Sequence, residues 1–236
     1  MADKNARLTP QRGMRLPSGA HRPVRSPWLD IPLAEYEGHM SLPSIGQAGM
    51  LADQLAALIA EYAPPSVAVI GCAGGNGFDR ISPEKTSRLV GVDINPRYIA
   101  EASKRYAKCI PGLELYVGDI QVGVSFEPVD LVYAALIFEY VELEPTFQTL
   151  QSICKPNGIL GVVLQLPSPS VAVVSPSPFT SLQALGPVMR LLPPKTLHTH
   201  AARVGFVLLS SRRVALASHK QFGVEVFRLA RTPGGN

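Results

Sequence analysis

The sequence contains no apolar run that approaches the roughly 18 residues of a membrane-spanning helix; Ile159–Leu166 has only the length of a buried strand. It has three cysteines, Cys72, Cys109 and Cys154, an odd number with no C-x-x-C spacing. That excludes a disulfide framework and a structural zinc, and it fits a reducing, cytoplasmic setting. The N-terminus carries charges and prolines but no apolar core, so no secretory signal is expected. No Ser-His-Asp or metal-ligand spacing stands out. With 46% apolar and only 17% charged residues, the chain reads as a globular protein.

An excess of positive charge is also lacking once the N-terminus is set aside. Lys4, Arg7, Arg12, Arg15, Arg22 and Arg25 oppose only Asp3, and the rest of the chain is close to neutral. Residues 1–27 therefore read as a basic, Pro-rich, disordered tail, followed by one domain over 28–236. Nucleic acid and membrane are disfavoured as partners; a small molecule is favoured, and a homodimer is admitted.

What is present is a strand that empties into glycines, Val67-Ala68-Val69-Ile70-Gly71-Cys72-Ala73-Gly74-Gly75-Asn76-Gly77. Such a loop lets backbone approach a ligand and offers N–H groups to a carboxylate or phosphate. A helix is expected from Ile45 to the Pro64-Pro65 stop, after an N-terminal cap segment that makes up the rest of 28–64. Strands follow at Arg88–Asp93, Leu113–Val117, Val129–Ala135 and Ile159–Leu166. Helices are expected over Pro96–Ala107, capped by Asn95, and over Phe138–Cys154, kinked at Pro145. Residues 167–194 read as a lid-like insertion with a short helix over Phe179–Leu192. A helix over Lys195–Val204 then leads to a hairpin, Phe206–Val214 with Phe222–Leu229. The alternation gives an α/β fold, a doubly wound Rossmann-like, seven-stranded, mostly parallel sheet with an antiparallel C-terminal hairpin strand.

Two acids end successive strands. Asp93 can accept from both hydroxyls of a ribose, and Asp119 can accept from an exocyclic adenine amine. Ile94 and Ile120 can sandwich a flat base. A nicotinamide dinucleotide is excluded because G-x-G-x-x-G, begun at Gly71, meets Ala73 and Asn76 where glycines are required.

In these residues, together with Phe126-Glu127-Pro128-Val129-Asp130-Leu131-Val132 and Lys155-Pro156-Asn157-Gly158-Ile159-Leu160, the chain resembles the class I S-adenosylmethionine-dependent methyltransferases. The resemblance implies S-adenosyl-L-methionine as cofactor. It assigns the methionine part to Gly71, Cys72, Ala73, Gly75 and Asn76, the ribose to Asp93, and the adenine to Ile94, Asp119 and Ile120. Ala134 and Ala135 would flank the sulfonium. The acid usual in that family at the position of Val69 is absent, and His39, Tyr36 or backbone carbonyls are the candidates to replace its contact to the cofactor.

Methyl transfer needs an aligned nucleophile and, for a hydroxyl or ammonium acceptor, a base. His39, Glu139 and Tyr140 are the candidates, each with an ordinary packing role as the competing reading. His198 and His200 read as surface groups. Tyr133-Ala134-Ala135-Leu136 lacks the Asn-Pro-Pro-aromatic signature of amide and nucleobase-amine methylation. The lid, with Phe179, Leu182, Leu185, Met189 and Leu192, points to a small apolar or aromatic acceptor. The different-class alternative is a catalytically silent interaction module, or a methyltransferase that takes RNA or protein through the basic tail.

Overall fold

The strands form where apolar, β-branched runs meet, and the computed structural model, which describes residues 25–168 and 172–231, shows how they are ordered. Five are parallel: β1 (Ser66–Ile70), β2 (Arg88–Asp93), β3 (Leu113–Val117), β4 (Val129–Ala135) and β5 (Cys154–Gln165). The hairpin β6 (Phe206–Ala215) and β7 (Gln221–Leu229) completes a sheet of order β3-β2-β1-β4-β5-β7-β6. The reversed strand is β7, which lies between β5 and β6; the edge itself is β6. β1 is buried along its whole length, as expected of a central parallel strand with both faces covered.

Helices α1 (Leu33–Ser41), α2 (Gln47–Tyr62), α3 (Pro96–Tyr106), α4 (Leu143–Ile153) and α5 (Pro194–Arg203) surround the sheet. α1 is a helix in a segment whose sequence suggests no regular element. Gly38 weakens the local helical signal, and it is there because a Cβ would overlap the Phe179 ring. α3 starts as predicted, with Asn95 Oδ1 accepting from Arg97 N–H (3.0 Å) and Pro96 in the first turn. α4 begins five residues later than expected, and Pro145 sits in its first turn instead of kinking it. A missing N–H costs nothing there. Only a 3-10 turn, Phe78–Arg80, follows the glycine loop. In the lid, Gly186-Pro187 cuts the expected helix to a 3-10 turn over Thr180–Leu185.

The amino edge of the sheet is closed by satisfied charges. Asp130 accepts from Ser66 Oγ (2.5 Å), Ser66 N–H (3.2 Å) and Lys155 Nζ (2.9 Å), tying together β1, β4 and β5. Arg88 grips Glu114 with two bonds of 2.7 and 3.0 Å. Burial alone would push the Asp130 carboxyl up, but Ser66 and Lys155 outweigh it and hold it below its ordinary value. On the last helix His198, read as a surface group, instead meets the buried Glu225 at 2.7 Å. Among the described residues no helix is long and apolar enough to cross a membrane. The tail of residues 1–24 lies outside the described residues.

Candidate functional site

The carboxyl edge is built differently. β1 ends at Gly71, whose φ of 70° suits glycine and whose missing Cβ leaves room for the Ile137 side chain. The N–H groups of the following loop turn inward. Gly71 and Cys72 donate to Val92 O (2.8 and 3.0 Å), Ala73 to Asp93 Oδ2 (2.9 Å), and Gly75 and Asn76 to Cys72 O (2.8 and 3.2 Å). The open cradle of donors expected from the sequence is thus largely spent on fixing the loop to β2.

That fixing positions Asp93, which is 7% exposed. Its Oδ1 accepts from Asn95 N–H (2.8 Å) and its Oδ2 from Ala73. Each carboxylate oxygen carries two lone pairs, so acceptor capacity remains. Burial pushes the carboxyl up to about 6 despite the two backbone donors. Asp119 Oδ1 accepts from Gln121 N–H (2.9 Å) and its side-chain amide (3.3 Å). Ala73 (φ 48°) and Leu136 (φ 54°) hold left-handed backbone on the same edge. For a residue with a Cβ that costs roughly 1–2 kcal/mol each, and such strain concentrates at functional sites.

A cavity of about 1190 Å³ opens over this edge. Gly71, Ala73, Asp93, Ile94, Asp119 and Ile120 line it, as do Tyr36, His39 and Tyr140. Other candidates stand outside its wall. Cys72 and Ala134 are buried in the core, and Ala135 takes the wall position next to Ala134, since alternate residues of a strand face opposite sides. Gly75 and Asn76 line a smaller cavity of about 250 Å³ that shares Tyr36, Met40 and Ala73 with the large one. Val69 lies in the core against other apolar side chains and lines neither cavity.

Glu139 is likewise behind the wall and buried. Its Oε1 accepts from Gln165 N–H (2.6 Å) while Oε2 has no partner among the described residues, and burial pushes the carboxyl up to about 7. His39 Nδ1 lies 2.8 Å from Ser177 Oγ. Burial, then the positive charge of Lys220, lowers its pKa, which favours the neutral ring. Burial raises the pKa of the Tyr140 phenol, so the proton stays on.

Sequence reasoning misses several wall residues. The strap at 25–29 covers the cavity and is tied down where Asn95 Nδ2 donates to Trp28 O (2.8 Å), Arg97 to Leu29 O and Tyr98 OH to Ile31 O (3.0 Å). Trp28 stands edge-on to Tyr36 and Tyr140, with ring centroids 5.5 and 5.2 Å away. Gln47, Gln165 and Lys220 add polar groups. From the lid, Leu182, Leu185, Val188 and Met189 line the cavity, whereas Phe179 packs on Gly38 and Leu192 against the core. The one available signal for the strap was a lone tryptophan just upstream of the tyrosine–histidine cluster.

Residues 67–158 match the family model of a methyltransferase domain. No curated protein matches the sequence. Among solved structures, the N-methyltransferase NodS from Bradyrhizobium japonicum WM9 in complex with S-adenosyl-L-homocysteine is similar, with TM-score 0.60 and 17% identity over 78% of this chain and 88% of that one. The geranyl diphosphate C-methyltransferase from Streptomyces coelicolor A3(2) superposes with TM-score 0.58 and 12% identity, covering 75% of this chain and 77% of its own. The [4+2]-cyclase SpnF matches as well, with TM-score 0.60 and 14% identity over 76% and 82%. Identities this low establish a shared fold, and the cyclase shows that the fold carries more than one chemistry.

Proposed function

We propose that this chain, whose residues 67–158 match a methyltransferase domain and whose fold is shared with methyltransferases, is a class I S-adenosylmethionine-dependent methyltransferase that methylates a small apolar or aromatic acceptor by in-line displacement. One observation carries the acceptor class: a single cavity runs from Asp93 and Asp119 to the apolar lid. Its volume of about 1190 Å³ exceeds the roughly 300–1,000 Å³ typical of a one-ligand site, so cofactor and acceptor fit side by side. Strap and lid residues line it beside the sheet edge, which favours a small molecule over a macromolecule.

The residues fit the cofactor. Asp93 is buried, faces the cavity and keeps acceptor capacity for ribose hydroxyls. Asp119 would accept from the adenine amine between Ile94 and Ile120. S-adenosylmethionine supplies an electrophilic methyl on a sulfonium; the protein's part is to orient, to exclude water and to hold protons. Leu182, Leu185 and Met189 would keep water from the reacting groups. His39, held by Ser177 and biased to its neutral form, is the base best placed for an acceptor that must lose a proton. Glu139 would act on the wall, through its bond to Gln165, and not on the acceptor.

Calorimetry with S-adenosylmethionine and S-adenosylhomocysteine tests the reading. Binding of both is expected, and binding of neither overturns it.

A further inference from the structure

The far wall of the cavity holds a cation that methyl transfer does not require. Lys220 immediately precedes β7, and β7 runs antiparallel to β5, with Gln165 opposite Phe222. The start of a reversed strand lies at the carboxyl edge, whereas the start of a parallel strand would lie at the other edge. This topology brings Lys220 to the cavity, where it is 3% exposed.

Its Nζ donates to Gln165 Oε1 (3.1 Å) and to Val173 O (2.7 Å), both neutral acceptors. An ammonium has three N–H donors, and acceptors among the described residues take two of them. Among the described residues no carboxylate lies within ion-pair distance of it. Glu139, the nearest acid along the bonded path, spends its bond on the Gln165 backbone. The other polar neighbour is His39, whose charged form Lys220 disfavours. A buried cation without a counter-charge is costly, and burial already lowers this one to about 8. A bound anion would remove that cost.

We propose that the acceptor is a monoanion, a carboxylate on an apolar body, with the carboxylate against Lys220 Nζ and the body against Leu182, Leu185 and Met189. This rests on the methyltransferase reading for the word acceptor, but the anion seat stands on its own geometry. One cation in an apolar wall matches a single negative charge; a phosphate with up to two charges would leave one uncompensated. The seat does not compete with the cofactor. β2 and β7 are four strand intervals apart, about 19 Å at the usual spacing, so Asp93 and Lys220 serve opposite ends.

The test is calorimetry on the full chain saturated with S-adenosylhomocysteine, using octanoate against octanamide and cinnamate against cinnamamide. At least one carboxylate should bind tenfold or more tightly than its amide. In Lys220→Met that preference should fall to within twofold while S-adenosylhomocysteine affinity stays within threefold. Amide binding equal to carboxylate in both pairs, failure of both carboxylates to bind, or a preference that survives Lys220→Met overturns the proposal. If Lys220→Met does not fold, as read by its circular dichroism melt, the wild-type comparison decides alone. If S-adenosylhomocysteine itself fails to bind, the methyltransferase reading falls, and the probe pairs still test the seat on the ligand-free chain.

Discussion

The two edges of one sheet handle charge in opposite ways. At the amino edge Asp130 meets Ser66 and Lys155, and Arg88 meets Glu114, so each of these charges has a partner of opposite sign. At the carboxyl edge, among the described residues, Asp93 and Lys220 are buried without ion pairs, Glu139 keeps an unpartnered oxygen, and Ala73 and Leu136 are strained. The first pattern is what stability alone selects. The second is costly unless a ligand completes it, which makes this edge the candidate site.

This contrast can be broken at either edge. The largest effect is expected for Asp93→Ala, which should weaken S-adenosylhomocysteine binding by roughly 1.5–3 kcal/mol, the scale of lost hydrogen bonds to a charged group; unchanged calorimetric affinity would remove the ribose assignment. Asp130→Ala should do the reverse, lowering the urea-unfolding free energy by about 1–2 kcal/mol and leaving that affinity alone. A shift in affinity would blur the division between the edges.

The edges should also answer pH with opposite sign. Asp93 and Glu139 have folded-state values raised to about 6 and about 7. The native state then binds more protons than the unfolded chain between about pH 4 and 7, so their contribution to ligand-free stability falls as pH rises through that window. The raised Asp93 value corresponds to a cost on the order of 3 kcal/mol at neutral pH, and Asp93→Asn should flatten the dependence. Asp130 is held low, so its contribution is present above its ordinary value and is lost as pH falls. Urea melts at pH 5 and 7.5 on wild type and Asp93→Asn test the first window, and melts at pH 3 and 5 on wild type and Asp130→Ala test the second; a slope left unchanged by Asp93→Asn in the upper window or by Asp130→Ala in the lower one would refute the corresponding assignment. Cofactor affinity should drop up to tenfold from pH 7 to 5 as Asp93 takes up a proton.

The smallest effect is expected at the lid. Met189→Gln, at a half-buried position on the wall, should weaken binding of an apolar acceptor or of cinnamate by about 1 kcal/mol, near the value of a buried methylene or two. It should leave S-adenosylhomocysteine binding as it was. A loss of cofactor affinity instead would mean that the lid serves the cofactor.

The part of this site that was legible in the sequence is the part written in short segments. Asp93 and Asp119 could be placed because an apolar run ends at each and parallel strands all end on one side. Lys220 was not legible: Ser218-His219-Lys220 has the composition of an exposed hairpin connection, and only the reversal of β7 and its insertion beside β5 bury it. The inward use of the loop N–H groups was equally hidden, because it depends on where Val92 O and Asp93 lie relative to β1. α1 was masked by Gly38, whose reason is Phe179, far away in sequence. Pro145 misled because proline breaks a helix in its interior but is neutral in its first turn, and sequence alone did not locate that turn.

The strap that covers the cavity carries the chain's only tryptophan. Its indole stands edge-on to Tyr36 and Tyr140 on the cavity wall, so all tryptophan emission of the protein originates at the site. Any molecule that enters changes the polarity and quenching around that one ring. The protein therefore carries its own optical gauge, and a search for its ligands can proceed by intrinsic fluorescence before any turnover assay exists.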